Sequence, residues 1–267
     1  MDVDRFSNGY ILSPIFSQRF LTAKSMERKT NTASILTDFR YNDTLFSAIN
    51  LDTFQSNSMD IIESLQWRYA TKKFAPNKSV SSEDLETILE AGNLAATSYG
   101  LQPVEFVVVS DPALRQRLVP FSYNQPQVGQ APHVIVIAVR TDVDADFIRA
   151  SAKLTEQVRG LEDGQLDDYA KQMIGAITSM DDDQRLVWAQ KQSYIVLSNL
   201  MTACAALKID SCPMEGFVPA EYNRLLDLES KNLHASVVLP VGYRAEDDEQ
   251  QGFAKVRKPL KELTHYV

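Results

Sequence analysis

Ser193 to Leu207 is apolar almost all round, so as a helix it has no face to give to solvent and belongs in a core or a subunit interface. The helix it completes begins near Gln184. A short apolar link, Lys208-Ile209-Asp210-Ser211, then delivers the chain into Cys212-Pro213-Met214-Glu215-Gly216-Phe217. A Pro-x-Glu-Gly turn directly after a buried element is a way to aim backbone N–H groups outward. Pro213 fixes its own φ and gives up a donor, and Gly216 lets the plane of another molecule approach the backbone closely. The arrangement suits the edge of a flat, electron-accepting ring; Pro and Gly in company also mark an ordinary turn.

The 267 residues allow one large domain, or a domain with an appendage. A net charge of −8, from 27 basic and 35 acidic residues, gives no general attraction to nucleic acid or an anionic membrane, so any bound anion must be held by a local basic cluster. Two cysteines, Cys204 and Cys212, fit a reducing compartment, and a cytoplasmic location is expected. His133, His234 and His265 lack metal-ligand spacing, and no metal site is expected. No apolar run approaches the ~18 residues that span a bilayer.

Residues 1–58 are rich in Ser, Thr and Asn and carry balanced charge without a sustained apolar period. They read as a poorly ordered appendage, or as sequence upstream of a start at Met59; residues 59–267 read as one domain. Ile61, Ile62 and Leu65 begin a short helix that runs into Trp67 through Phe74. Ser81-Ser82-Glu83-Asp84 is a helix start with an N-cap hydroxyl and acids in the first turn. Thr97 to Pro103 is a loop, Val104 to Val109 a buried strand, and Asp111-Pro112 opens another helix. Tyr123 to Gln127 reads as a polar loop, Val134 to Val139 as a second buried strand, and 144–207 as mostly helical. A short helix over Ala220 to Leu226, a third strand over Ser236 to Val241 and a basic tail, Lys255-Val256-Arg257-Lys258-Pro259, complete the chain. Strands alternating with helices predict a layered α+β or α/β domain.

The common signatures of nucleotide binding and hydrolysis, G-x-G-x-x-G, G-x-x-x-x-G-K-[ST] and G-x-S-x-G, are absent. What remains are basic and amide side chains in loops. Arg68 and Lys72 stand four apart; Lys255 and Arg257 stand two apart and project the same way from an extended segment. Two such pairs in an acidic protein could clamp one phosphate, or be solvated surface charge. Asn124 and Gln127 could pair with the edge of a heterocycle, or serve as turn formers, and Gln102 before Pro103 has the same two readings.

Five arrays in order carry a resemblance: Arg68-Tyr69-Ala70-Thr71-Lys72-Lys73-Phe74, Thr97-Ser98-Tyr99-Gly100-Leu101-Gln102-Pro103, Asn124-Gln125-Pro126-Gln127, Pro213-Met214-Glu215-Gly216-Phe217 and Lys255-Val256-Arg257-Lys258-Pro259. The stretch from Asp60 to Val267 resembles the FMN-dependent nitroreductase family, in its oxygen-insensitive NAD(P)H nitroreductase and dihydropteridine reductase branch. The resemblance implies an α+β fold with a central, mainly antiparallel sheet wrapped by helices. It also implies an intertwined homodimer with two FMN molecules at the interface. Arg68, Lys255 and Arg257 would grip the FMN phosphate. Lys72 would reach the ribityl chain and the N1/O2 side of the ring, and Asn124 the pyrimidine edge. Backbone N–H groups at Glu215 and Gly216 would face N5 and O4, and Pro213 and Met214 would line one ring face. Tyr69 and Ala70 belong to the same array as Arg68, and Thr97, Ser98 and Gln102 would come from the partner subunit.

The implied reaction is ping-pong: NADH or NADPH reduces the flavin, which does the chemistry without an obligate side-chain acid or base, and a nitroaromatic, quinone or pterin is reduced in turn. Two departures stand out. Gln127 occupies the place of the family's second lysine, implying less positive charge beside N1/O2 and a lower flavin potential. Tyr99-Gly100 replaces a more polar pair and bears on acceptor preference. Competing readings are a flavoenzyme of the same fold acting by dehalogenation, enone reduction or flavin breakdown, a flavin-binding redox sensor with little turnover, and a dimeric scaffold without cofactor.

Overall fold

The computed structural model describes residues 61–267. The appendage expected over residues 1–58 and the start at Met59 lie outside the described residues. Among those described, four strands form one antiparallel sheet in the order β1-β2-β4-β3: β1 (Val104–Val109), β2 (His133–Arg140), β3 (Asp210–Ser211) and β4 (Leu233–Gly242). The first, second and fourth are the three strands expected, β4 being longer at its start. The remaining strand, β3, lies in the segment read as a link.

Every residue of β2 from Val134 to Val139 is fully buried, because the sheet is covered on both faces. Val134, Val136 and Ala138 pack with Leu118, Val128, Tyr222 and Leu226. These come from α3 (Pro112–Leu118), α4 (Gln127–Gln130) and α8 (Pro219–Leu226). Ile135 and Ile137 point the other way, into Ile88 of α2 (Ser82–Asn93) and Val196, Leu197 and Leu200 of α7 (Asp182–Ala206). Burial of this kind makes Leu200→Ala a loss of about 2–5 kcal/mol. A Cβ on Gly92 would lie 2.6 Å from Leu200 Cδ2, so glycine sets how closely α2 approaches α7.

The ends of α7 are fixed chemically. Asp181 accepts from Gln184 N while Gln184 Oε1 accepts from Asp181 N, a reciprocal capping box. The helix divides its apolar surface: Val196, Leu197, Leu200 and Cys204 are buried, whereas Tyr194 and Ile195 are each 41% exposed. The remaining helices, α5 (Ala145–Arg159) and α6 (Asp167–Thr178), enclose a smaller core of Ile148, Ala152, Met173 and Ile177 around Leu101. Short helices α1 (Ile61–Trp67) and α9 (Leu260–Leu263) lie near the ends of the described chain.

Pro240 sits inside β4. Its carbonyl accepts from Cys212 N at 3.0 Å, so its missing N–H faces the same short edge and removes no bond from β2.

Candidate functional site

The centre of the site hangs from β4. Beyond β3 the chain stays paired with that strand: Met214 N donates to Val238 O at 2.8 Å and Val238 N returns to Met214 O at 3.1 Å. Glu215 and Gly216 then turn away. Phe217 brings the chain back, with N bonded to Glu215 O at 2.9 Å and its ring 4.8 Å from that of Tyr222. Among the described residues neither Glu215 N nor Gly216 N has a protein acceptor, so the turn offers two backbone donors side by side. The Glu215 carboxylate is tied to α7 by the hydroxyl of Tyr194. Burial, then this bond and the nearby charge, push the Tyr194 phenol up to about 12. Gly216 has a second reason to be glycine: its Cβ would lie 2.7 Å from Gln125 Nε2, which donates to Gly216 O at 2.9 Å.

Arg68 to Phe74 forms the adjacent wall. The expected helical run stops at Trp67; beyond it Ala70 bridges Ser211 in parallel and Phe74 bridges Arg244. Two acidic anchors hold this extended segment. Asp248, 3% exposed, accepts from the backbone N of Lys72 (2.9 Å) and Lys73 (3.1 Å), from Tyr69 Oη (3.0 Å) and from Gln250 N (3.0 Å). Burial alone would raise its pKa; these four donors together hold it below the ordinary value. Asp210, 4% exposed, pairs with Arg244 at 2.6 Å, and the Arg244 guanidinium lies 4.4 Å from the Trp67 ring centre and 4.6 Å from that of Tyr69. Trp67 and Tyr69 thus both turn to Arg244, leaving Arg68 between them.

Arg68, Lys255 and Arg257, from the two ends of the described chain, lie close together. Lys255 Nζ donates to the carbonyls of Leu65 (2.7 Å) and Arg68. Burial first, then the Arg257 charge, lower the Arg68 pKa; burial, Arg68 and Arg257 lower that of Lys255. No carboxylate among the described residues pairs with any of the three, and Arg68 Nε is buried without a partner. Three cations brought together with no carboxylate paired to them among the described residues, one with an orphaned donor, are an arrangement that could hold a multivalent anion.

Lys72 points elsewhere, with Nζ 3.8 Å from Cys212 Sγ, and Gln127 Nε2 reaches the same sulfur at 3.9 Å. Burial raises the Cys212 thiol above its ordinary pKa against the pull of Lys72, and the side chain packs fully buried in the core. Gln127 was expected in a loop; it opens α4 and is 2% exposed. Its neighbours Tyr123 and Asn124 both take left-handed φ, 53° and 59°, folding this turn against Gly216. The loop from Thr97 to Gln102 stands apart: Ser98 N donates to Gln192 Oε1 of α7 (2.8 Å), Gln102 N to Thr97 Oγ1 (3.0 Å) and Gln102 Nε2 to Asn93 O (2.7 Å). Its bonds go to α2, α7 and itself, none to the cationic cluster.

Four contributors escaped the sequence reading: Asp248, the Asp210–Arg244 pair, Gln125 and Tyr194. Asp248 lies in Glu246-Asp247-Asp248-Glu249, a run that reads as solvated charge. Gln125 stood inside a quoted array, so its neighbours were the available signal.

Comparison with known proteins places this geometry in context. A model of the nitroreductase family matches residues 65–243. YfkO of Bacillus subtilis (strain 168), an NAD(P)H nitroreductase by name, is 36% identical over 218 residues, covering 78% of this chain and 97% of that protein. A nitroreductase family protein of Streptococcus pneumoniae TIGR4 is similar in structure, with TM-score 0.68, 25% identity and coverage of 78% of this chain and all of that one (100%). A protein of Exiguobacterium sibiricum 255-15 solved in complex with FMN has TM-score 0.68 at 21% identity, covering 78% and 98% of the two chains.

Proposed function

The chain belongs to the nitroreductase family, and on that premise we propose that it is an FMN-dependent NAD(P)H oxidoreductase that reduces nitroaromatics, quinones or pterins. The observation that carries the reading is the cluster of Arg68, Lys255 and Arg257, paired with no carboxylate among the described residues, and its orphaned Arg68 Nε. A phosphate dianion would be complementary to it in charge and would accept from its guanidinium and ammonium donors. A likeness to a structure holding FMN supports the same choice of ligand.

Bound FMN would supply two-electron transfer between a nicotinamide and an acceptor. The residues of this chain hold and tune it. Arg68, Lys255 and Arg257 would anchor its phosphate, and Tyr69 and Ala70 fix the backbone that presents Arg68. Lys72 would place positive charge toward the pyrimidine side of the ring, with Gln127 and Asn124 offering neutral amides there. The unpaired N–H groups of Glu215 and Gly216 would meet the ring edge, and Pro213 and Met214 one ring face. Nicotinamide and acceptor would occupy the same cleft in turn, giving ping-pong kinetics.

Thr97, Ser98 and Gln102 would complete the site from a partner subunit. A homodimer is supported by apolar side chains left in the open: Ile61 and Ile62 of α1, Tyr194 and Ile195 of α7, and Phe253, Val256 and Leu260 in the tail. Among the described residues no helix is long and apolar enough to cross a membrane.

The test is the visible spectrum of the purified protein before and after anaerobic NADH or NADPH. A flavin spectrum that bleaches with the reductant and returns on adding a nitroaromatic or quinone is expected. Protein that stays colourless after incubation with FMN would overturn the proposal.

A further inference from the structure

A second, separate basic site lies where the loop following Phe74 meets the start of β2. A cavity of about 450 Å³ is lined by Asn77, Lys78, Ser79, Arg115, Gln130 and His133, with Pro76, Val80 and Pro132 closing its walls. None of these residues belongs to the cationic cluster or to the Glu215 turn. Among the described residues no Asp or Glu lines the cavity, in a chain where acids outnumber bases by 35 to 27.

Arg115 is the unusual member. It is 8% exposed, on α3, and forms no ion pair among the described residues. Its Nη1 donates to the carbonyls of Gly129 (2.9 Å) and Ala131, while Nε is buried without a partner. Asp111, four residues earlier, acts on it only through space, its carboxylate being engaged by Leu114 N. A buried guanidinium with no carboxylate bonded to it, its charge offset only through space by Asp111, is expensive unless an anion relieves it. Lys78 adds a second positive charge at the cavity, and Asn77, Ser79 and Gln130 add neutral polar groups. His133 brings shape without charge: Nδ1 lies 2.7 Å from Ser110 Oγ, and burial holds its pKa below the ordinary value.

We propose that this cavity binds a phosphate group through Arg115 and Lys78. The cavity of about 450 Å³ leaves room beside a phosphate for an organic group. The ligand class is therefore a small phosphomonoester, its phosphate at the two cations and its organic body toward Asn77, Ser79 and Gln130.

The test follows the ring resonances of the three histidines by NMR in full-length protein saturated with FMN, titrated separately with inorganic phosphate and with glycerol phosphate. His133 is expected to shift saturably with both, and more tightly with the ester, while His234 and His265 stay still. Saturation by inorganic phosphate alone would keep the phosphate site and reject the organic body. Lys78→Ala, in an exposed loop, should weaken binding about tenfold, the loss of one charge-assisted bond. No saturable His133 shift with either probe, or an unchanged affinity in Lys78→Ala, would overturn the proposal. The readout is local to His133, so it stands or fails independently of the chemistry at the flavin cluster.

Discussion

Tyr194, at the middle of α7, donates its hydroxyl to the carboxylate of Glu215, in the turn that follows β3. A helix that builds the core thereby also fixes the angle of a binding turn. Tyr194→Phe should lower stability by about 1 kcal/mol, the value of one hydrogen bond at a partly exposed position. In a domain of this size that is about 2–4 °C in Tm. A double-mutant cycle with Glu215→Ala checks the assignment, and additive effects would show that the two side chains do not communicate.

Replacing Arg68 and Arg257 together by alanine should strip FMN while leaving the fold intact. Arg68 is half-buried beside like charges and has an unsatisfied Nε, so its removal relieves strain in the unliganded protein. Flavin content after gel filtration and Tm without FMN are the two readouts. Stoichiometric FMN in the double variant would contradict the phosphate assignment.

Asp248→Asn should cost about 2–3 kcal/mol, because one buried carboxylate satisfies four donors. The effect has a pH signature. The folded pKa of Asp248 lies below its ordinary value of 3.8, so its contribution is complete above that pH and fades as pH falls through the folded pKa. Wild type and Asp248→Asn should therefore differ in Tm at neutral pH and converge under more acidic conditions than pH 3.8. A constant gap across that range would remove the carboxylate from the explanation.

Gln127→Lys should raise the flavin midpoint potential. The side chain stands with Lys72 around Cys212, and a second ammonium there would favour the more negative, reduced ring. A dye-coupled redox titration of both proteins measures the difference. An unchanged or lower potential in the variant would refute the role given to this position.

Much of the architecture was legible because it is local. Val104–Val109 announces itself by composition, and Asp111-Pro112 starts α3 by chemistry confined to a few residues. β3 was missed because two residues have no periodicity; it exists through pairing with β4 more than twenty residues later. Gln127 was placed in a loop because Pro126 marks a turn, whereas Pro126 in fact precedes a four-residue helix. Of the candidate site, residue type offered two basic pairs, Arg68 with Lys72 and Lys255 with Arg257; the triad came from the resemblance. The structure brings Arg68 to Lys255 and Arg257 across nearly the whole domain while Lys72 turns to Cys212. Asp248 was not readable: an acid in an acidic run becomes structural only when Tyr69 and the Lys72 and Lys73 amides arrive from a distant segment.

The crowding of Arg68, Lys255 and Arg257 gives the protein two opposite responses to ionic strength. Without a dianion, added salt screens the mutual repulsion of the three cations and steadies the fold. With one bound, the same salt weakens the attraction that holds it and erodes the stabilisation that binding confers. The thermal gap between loaded and empty protein is therefore widest in dilute buffer and narrows from both sides as salt is added.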